Sequence, residues 1–348
     1  MGATRGQHYL PKFLLKGFAS RTREDKAWVY YFRRNAAVKE VSVADIGKQT
    51  DFHGNPRDSD LENRMQAVES LFGPHLAKWR AGEFISEADG DLAAQFVAHI
   101  LIRTKSLRDA VEGGAQFLMT ELTGRLDRGE FNPFSRTEYE AEIIEKMRAN
   151  PSLAKFARKK PREFKALVRV KLAEAKQSGK VLEWNQQVAE QARAVDVSRL
   201  VAQAHINSLT RSQIPDLRVK VLQALSWSLS KTNQPVIILG DAGAMARDTD
   251  DPQFKNPFTL DFERIGMVCC PISSNAVLVG RAPGVDHTFA ADEINLASAE
   301  LSRDFFVASQ RDQDFEDLQK VIRHRADLVS EEELRTIISE ATPYSSGT

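Results

Sequence analysis

Five polar residues in this sequence are of the types that move protons or hold phosphate: His8, Glu62, Glu69, Arg103 and Asp241. His8 is followed by Tyr9, Pro11, Phe13, Leu14 and Phe18. A titratable ring is thus anchored by apolar neighbours, as it would be for a general base or for a satisfied core histidine. Glu62, Gln66 and Glu69 fall at i, i+4 and i+7, which places them on one stripe of a helix, and carboxylates on one stripe can bind a hard cation or act as acid and base. At about 1.5 Å of rise per residue the two glutamates stand roughly 10 Å apart, so a metal between them needs a third ligand. Gln95, His99 and Arg103 form a second stripe at four-residue spacing on an otherwise apolar helix. A buried arginine there requires a carboxylate, and Glu62 or Glu69 is the natural partner.

Taken together, the five residues could build a phosphodiester-cleaving pocket. Glu62, Glu69 and Asp241 would hold Mg²⁺ or Mn²⁺, His8 would serve as general base, and Arg103 would stabilise charge developing on the phosphate. The competing reading uses the same residues as a structural ion-pair seam inside a non-enzymatic binding or regulatory protein.

These residues depend on the elements that carry them. Ala27 to Phe32 and Val38 to Val43 are rich in β-branched and aromatic residues around a polar turn, and predict a β-hairpin. From Asp60 to Arg80, apolar residues at three- and four-residue steps predict a helix that Gly73-Pro74 would break or kink. A second helix is expected from near Asp89, through Arg103, toward Leu126. Residues 132–213 keep a helical pattern but are far more charged, with Asn150-Pro151 and Lys160-Pro161 as boundaries, and Val181 to Leu209 is expected as one long helix. Beyond Pro215, Val219 to Leu229 reads as helix, Pro235 to Leu239 as a buried strand ending at Asp241, and Met267 to Ile272 with Ala276 to Arg281 as a hairpin. Asp292 to Ser302 is helical and Phe305 to Ser309 strand-like. The predicted class is α+β, predominantly helical, with a small antiparallel or mixed sheet built from strands near both ends of the chain. One domain over 1–348 is expected, with strands in 1–58 and 215–310 and helices in 59–214.

Composition removes several function classes. Apolar residues make up 42% and charged residues 28% of the 348, the balance of a packed globular protein. Lys plus Arg and Asp plus Glu both count 48, so no whole-chain field draws the protein to nucleic acid or to an anionic membrane. The one local exception is Lys155 to Lys180, where ten basic residues face Glu163 and Glu174; nucleic acid is the partner such a segment would contact, with Phe156 and Phe164 packing inward. A protein partner is the other expectation. Cys269 and Cys270 are adjacent and form no disulfide framework. No apolar run reaches membrane-spanning or signal-peptide length, so no membrane partner is expected and the cytoplasm is the default location. Walker and dinucleotide glycine loops and zinc-ligand spacings are missing.

The opening Gln7-His8-Tyr9-Leu10-Pro11-Lys12-Phe13-Leu14-Leu15-Lys16-Gly17-Phe18 resembles an uncharacterised bacterial family, domain of unknown function four-two-three-eight, whose members open H-Y-x-P-x-F-x-L-x-x-F. The likeness continues through Trp28-Val29-Tyr30, Asp60-Leu61-Glu62, Glu69, Phe96 to Thr104, and the strand ending at Asp241. The late motif departs, because Gly240-Asp241-Ala242-Gly243 stands where similar proteins show S-D-x-P. The resemblance implies candidate positions and no established reaction. The functional expectation is a metal-assisted phosphodiesterase or nuclease-like effector in bacterial conflict or phage defence, with the binding or regulatory module as its alternative.

Overall fold

The computed structural model describes residues 6–50, 52, 59–129, 144–177, 180–210, 216–286 and 288–341. In chain order the elements used below are β1 (Gly6–His8), α1 (Lys12–Leu15), β2 (Arg21–Arg23), β3 (Lys26–Arg33), β4 (Lys39–Ser42), β5 (Lys48–Thr50), α2 (Ser59–Ala81), α3 (Ser86–Arg103) and α4 (Lys105–Asp127). There follow α5 (Pro151–Lys159), α6 (Pro161–Gln177), α7 (Lys180–Arg193), α8 (Val197–Thr210), α9 (Asp216–Gln223), β6 (Ser226–Lys231), β7 (Leu239–Gly240) and β8 (Met245–Asp248). The chain closes with β9 (Ile265–Ser273), β10 (Ala276–Arg281), α10 (Ala291–Leu301), β11 (Phe305–Ala308), α11 (Gln313–Leu318) and α12 (Glu331–Ala341). The class is α+β, and every strand pairing among the described residues is antiparallel.

Two compact units share the chain, one from 1–113 and 198–329 and the other from 114–197 and 330–348. The first holds all the strands among the described residues, arranged in three sheets. A five-stranded sheet runs β2-β3-β11-β7 with β4 on β3, and it does join the two ends of the chain, since Phe306 pairs with both Phe32 and Gly240. A separate four-stranded sheet runs β6-β10-β9-β8, and β1 pairs with β5 alone. β9 is buried along its whole length and paired on both sides, with β10 and β8, so the edges of this sheet are β6 and β8.

Alternation along β3 and β11 sorts two cores. Tyr31, Phe305 and Val307 face the main core, while Phe32 and Phe306 stack at 4.7 Å over Phe315 and Ile238 on the other side. In the four-stranded sheet the β9–β10 register slips where Val277 faces Pro271, which lacks the N–H to continue the ladder.

Four helical expectations are corrected. Pro74 lies inside α2, which runs through it. The helix expected from Asp89 onward ends at Arg103 and restarts at Lys105, because Thr104 takes extended backbone (φ −67°, ψ 141°) and its hydroxyl accepts from Leu107 N at 3.3 Å, as a capping residue does. Val181 to Leu209 is two helices, interrupted at residues 194–196, where β-branched Val195 precedes Asp196, a residue type that favours helix starts. Trp227 to Leu229, expected as helix, is strand β6; its pairing with β10 overrides a weak local preference.

In the second unit, Asn150 caps α5 by accepting from Ser152 N at 3.0 Å, and Pro151 and Pro161 occupy the first turns of α5 and α6, where a missing N–H costs nothing. Arg335 of α12 reaches Glu121 at 3.2 Å and lies over the Phe117 ring. No helix among the described residues is long and apolar enough to cross a membrane.

Candidate functional site

The N-terminal segment is held down by two arginines. Arg103, at the end of α3, is 3% exposed; its Nε and Nη2 donate to the His8 carbonyl at 3.1 and 2.6 Å, and its Nη1 donates to Glu69 Oε1 at 2.6 Å. His99 Nε2 lies 3.4 Å from the same Nη1. Arg80, at the end of α2, donates to the carbonyls of Ile272 (2.8 Å), Phe13 (2.9 Å) and Leu14 (3.0 Å), and burial pulls its guanidinium down to about 10. Ile272 is the extra residue of the bulge at Pro271, so its carbonyl is available for this bond. Two helix-end arginines therefore satisfy carbonyls that leave regular structure where the first residues turn over the core.

His8 is brought to Arg103 and Glu69 by its backbone. Its ring turns to the Ile46 carbonyl, with Nδ1 at 3.1 Å; a carbonyl cannot donate, so Nδ1 carries the proton and Nε2 is the acceptor nitrogen. Burial first, then the positive charges of Lys12 and Arg103, lower the imidazole to about 4. It is neutral at pH 7 and a weak base. Glu69 is spent on Arg103. Glu62 lies on α2, but its side chain falls outside the described residues.

Asp241 sits just past β7 and is 2% exposed. Its carboxylate accepts three backbone N–H groups, from Arg303 (2.8 Å), Asp304 (2.6 Å) and Phe305 (3.1 Å), and so fixes the corner between α10 and β11. Burial raises its pKa to about 7 against the lowering pull of those bonds, with Asp304 adding to the rise. The four sequence candidates whose side chains are described thus divide into His8, Arg103 and Glu69 in one network and Asp241 in another. Among the described residues no group of three or more His, Cys, Asp or Glu side chains is arranged to hold a metal ion.

Sequence reasoning missed the residues around Asp241. Lys105, opening α4, bonds Asp109 and reaches Asp304 at 3.0 Å. Burial pulls its ammonium down, but those two carboxylates outweigh it and hold it above the usual lysine range. Tyr9 and Tyr31 face the same group: burial and then the Asp241 charge push the Tyr9 phenol up, and burial does the same to Tyr31. The signal available in sequence was the polar Arg103-Thr104-Lys105-Ser106 stretch closing an apolar helix.

The loop after Asp241 is sterically fixed. Gly243 has φ +78°, and a Cβ there would stand 2.5 Å from Ile100 Cγ2 on α3. Gly243→Ala is expected to destabilise the protein by at least about 2 kcal/mol in denaturant unfolding, combining left-handed strain with the clash; a change under about 0.5 kcal/mol would show that the loop moves freely away from α3.

The second unit carries a different feature. Lys155, Arg158 and Lys159 on α5, and Arg162, Lys165 and Arg169 on α6, are all exposed, and none is paired with an acidic side chain among the described residues. On α6 the three lie at i, i+3 and i+7, on a face that adjoins the buried Phe164 and Val168. Phe156 is half-buried.

Comparison with known proteins finds no match among curated proteins and none among solved structures. A family defined only as a protein of unknown function, DUF4238, matches residues 6–331. That match spans nearly the whole chain, and the chain is a member of the DUF4238 family.

Proposed function

We propose that this protein is a nucleic-acid-binding module without catalytic use of its buried polar residues. The observation that carries the reading is the set of six exposed cations on two consecutive helices, α5 and α6, none of them paired with an acidic side chain among the described residues. Exposed guanidinium and ammonium groups that stay unneutralised by their own chain repel one another, and phosphates relieve that repulsion while releasing counterions. The His8, Arg103, Glu69 and Asp241 groups support the same reading from the other side. Arg103 gives its hydrogen bonds to a carbonyl and a carboxylate, and Asp241 gives its oxygens to backbone N–H groups, so each is engaged in holding the fold.

Purified protein is expected to shift mixed-sequence DNA or RNA in a gel at low salt. The triple variant Arg162→Glu, Lys165→Glu, Arg169→Glu should lose at least tenfold in affinity while melting within a degree or two of the parent, since all three are exposed. With Mg²⁺ or Mn²⁺ added, the nucleic acid should remain intact. Cutting that disappears in both His8→Ala and Glu69→Gln would overturn the binding-only reading in favour of a phosphodiesterase.

A further inference from the structure

The shape of the basic surface carries the reading one step further, and this step rests on the nucleic-acid reading above. We infer that α5 and α6 bind the phosphate backbone of a double helix, without reading its sequence. Two features of the surface point to a duplex.

The first is charge density. Arg162, Lys165 and Arg169 span about 10 Å along α6, at ~1.5 Å of rise per residue, and α5 places three more cations one residue before that helix begins. A duplex offers one phosphate charge per roughly 1.7 Å of axis, whereas phosphates within one strand are spaced about twice as far apart along that axis. Six exposed cations within residues 155–169 meet about twice as many phosphates per length of axis on a duplex as on one strand.

The second is the burial of the aromatic rings. Binding of single strands without sequence preference relies on exposed aromatic faces on which unstacked bases lie. Here Phe164 is 6% exposed and Phe156 half-buried. The exposed positions of α6 among the described residues carry no ring and none of the asparagine or glutamine side chains that read base edges; beside the arginines and lysines they hold Glu163, Ala166, Val170 and Glu174.

The test uses the full chain and fluorescence anisotropy with a labelled duplex, a second duplex of unrelated sequence, and a single strand of the same length, between about 50 and 200 mM salt. The two duplexes should bind within twofold of each other and at least tenfold tighter than the single strand. With six phosphate contacts, log K should fall against log salt with a slope of about −5, roughly a thousandfold across that range, and Arg162→Gln, Lys165→Gln, Arg169→Gln should make the slope shallower by about 3. Tighter binding of the single strand, or a slope unchanged in the triple variant, would overturn the duplex assignment and leave the nucleic-acid reading standing. Failure of all three probes to bind at the lowest salt would remove both.

Discussion

Arg103→Ala should unfold at a temperature lower than the parent by roughly 6–12 °C, an effect of about 3 kcal/mol in a unit of this size. The size follows from what the guanidinium does. It is 3% exposed and makes two bonds to the His8 carbonyl and one to Glu69. Truncation leaves the His8 carbonyl and the partly buried Glu69 carboxylate without their partner, and the penalty for unmet groups exceeds the net worth of the bonds when made. Arg103→Lys should recover less than half of the loss, because an ammonium cannot span the carbonyl and the carboxylate with a planar fork. Calorimetry of the two variants checks this. A parent-like melting temperature for Arg103→Ala would mean that the network is not structural, and would return Arg103 to the list of groups held ready for a ligand.

Asp241→Ala should cost a comparable amount at pH 4, about 3 kcal/mol, because three N–H groups at the α10–β11 corner lose their acceptor. The pH dependence is the sharper test. Asp241 titrates at about 7 in the fold against 3.8 as its ordinary value. Below the lower value both folded and unfolded chains carry the proton, and the contribution of the protonated side chain is fully present. As pH rises the unfolded chain releases its proton first, so this contribution shrinks through the window from about 4 to 7 and is lost above it. The stability difference between parent and Asp241→Ala should therefore be larger at pH 4 than at pH 8, by a few kcal/mol. Working with that difference removes the opposite trend from His8, whose pKa is lowered from 6.5 to about 4 and whose contribution is lost as pH falls. A difference that grows with pH would mean that the three N–H groups hold Asp241 ionised and that burial is the weaker influence.

Much of the fold was legible because local pattern and final environment agree. The hairpins β3–β4 and β9–β10 follow from β-branched and aromatic runs around short polar turns, and α5 and α6 begin at Asn150-Pro151 and Lys160-Pro161, where the residues themselves supply the cap and the fixed φ. The inward Phe164 and outward lysines and arginines of α6 were likewise written in a 3.6-residue period.

What tertiary structure alone decided was everything that depends on contacts between residues far apart in sequence. The Arg103 stripe announced that a buried cation needed a partner, and Glu69 is that partner, yet nothing local indicated that its main bonds would go to a backbone carbonyl 95 residues away. Nor could one sequence show Arg80 meeting the Ile272 carbonyl, since that carbonyl is exposed to it only by a register slip in another sheet. Side-chain type fixes how many hydrogen bonds a residue must make; which atoms supply them is settled when the chain closes on itself, because backbone donors and acceptors are the same at every position and carry no mark in the sequence.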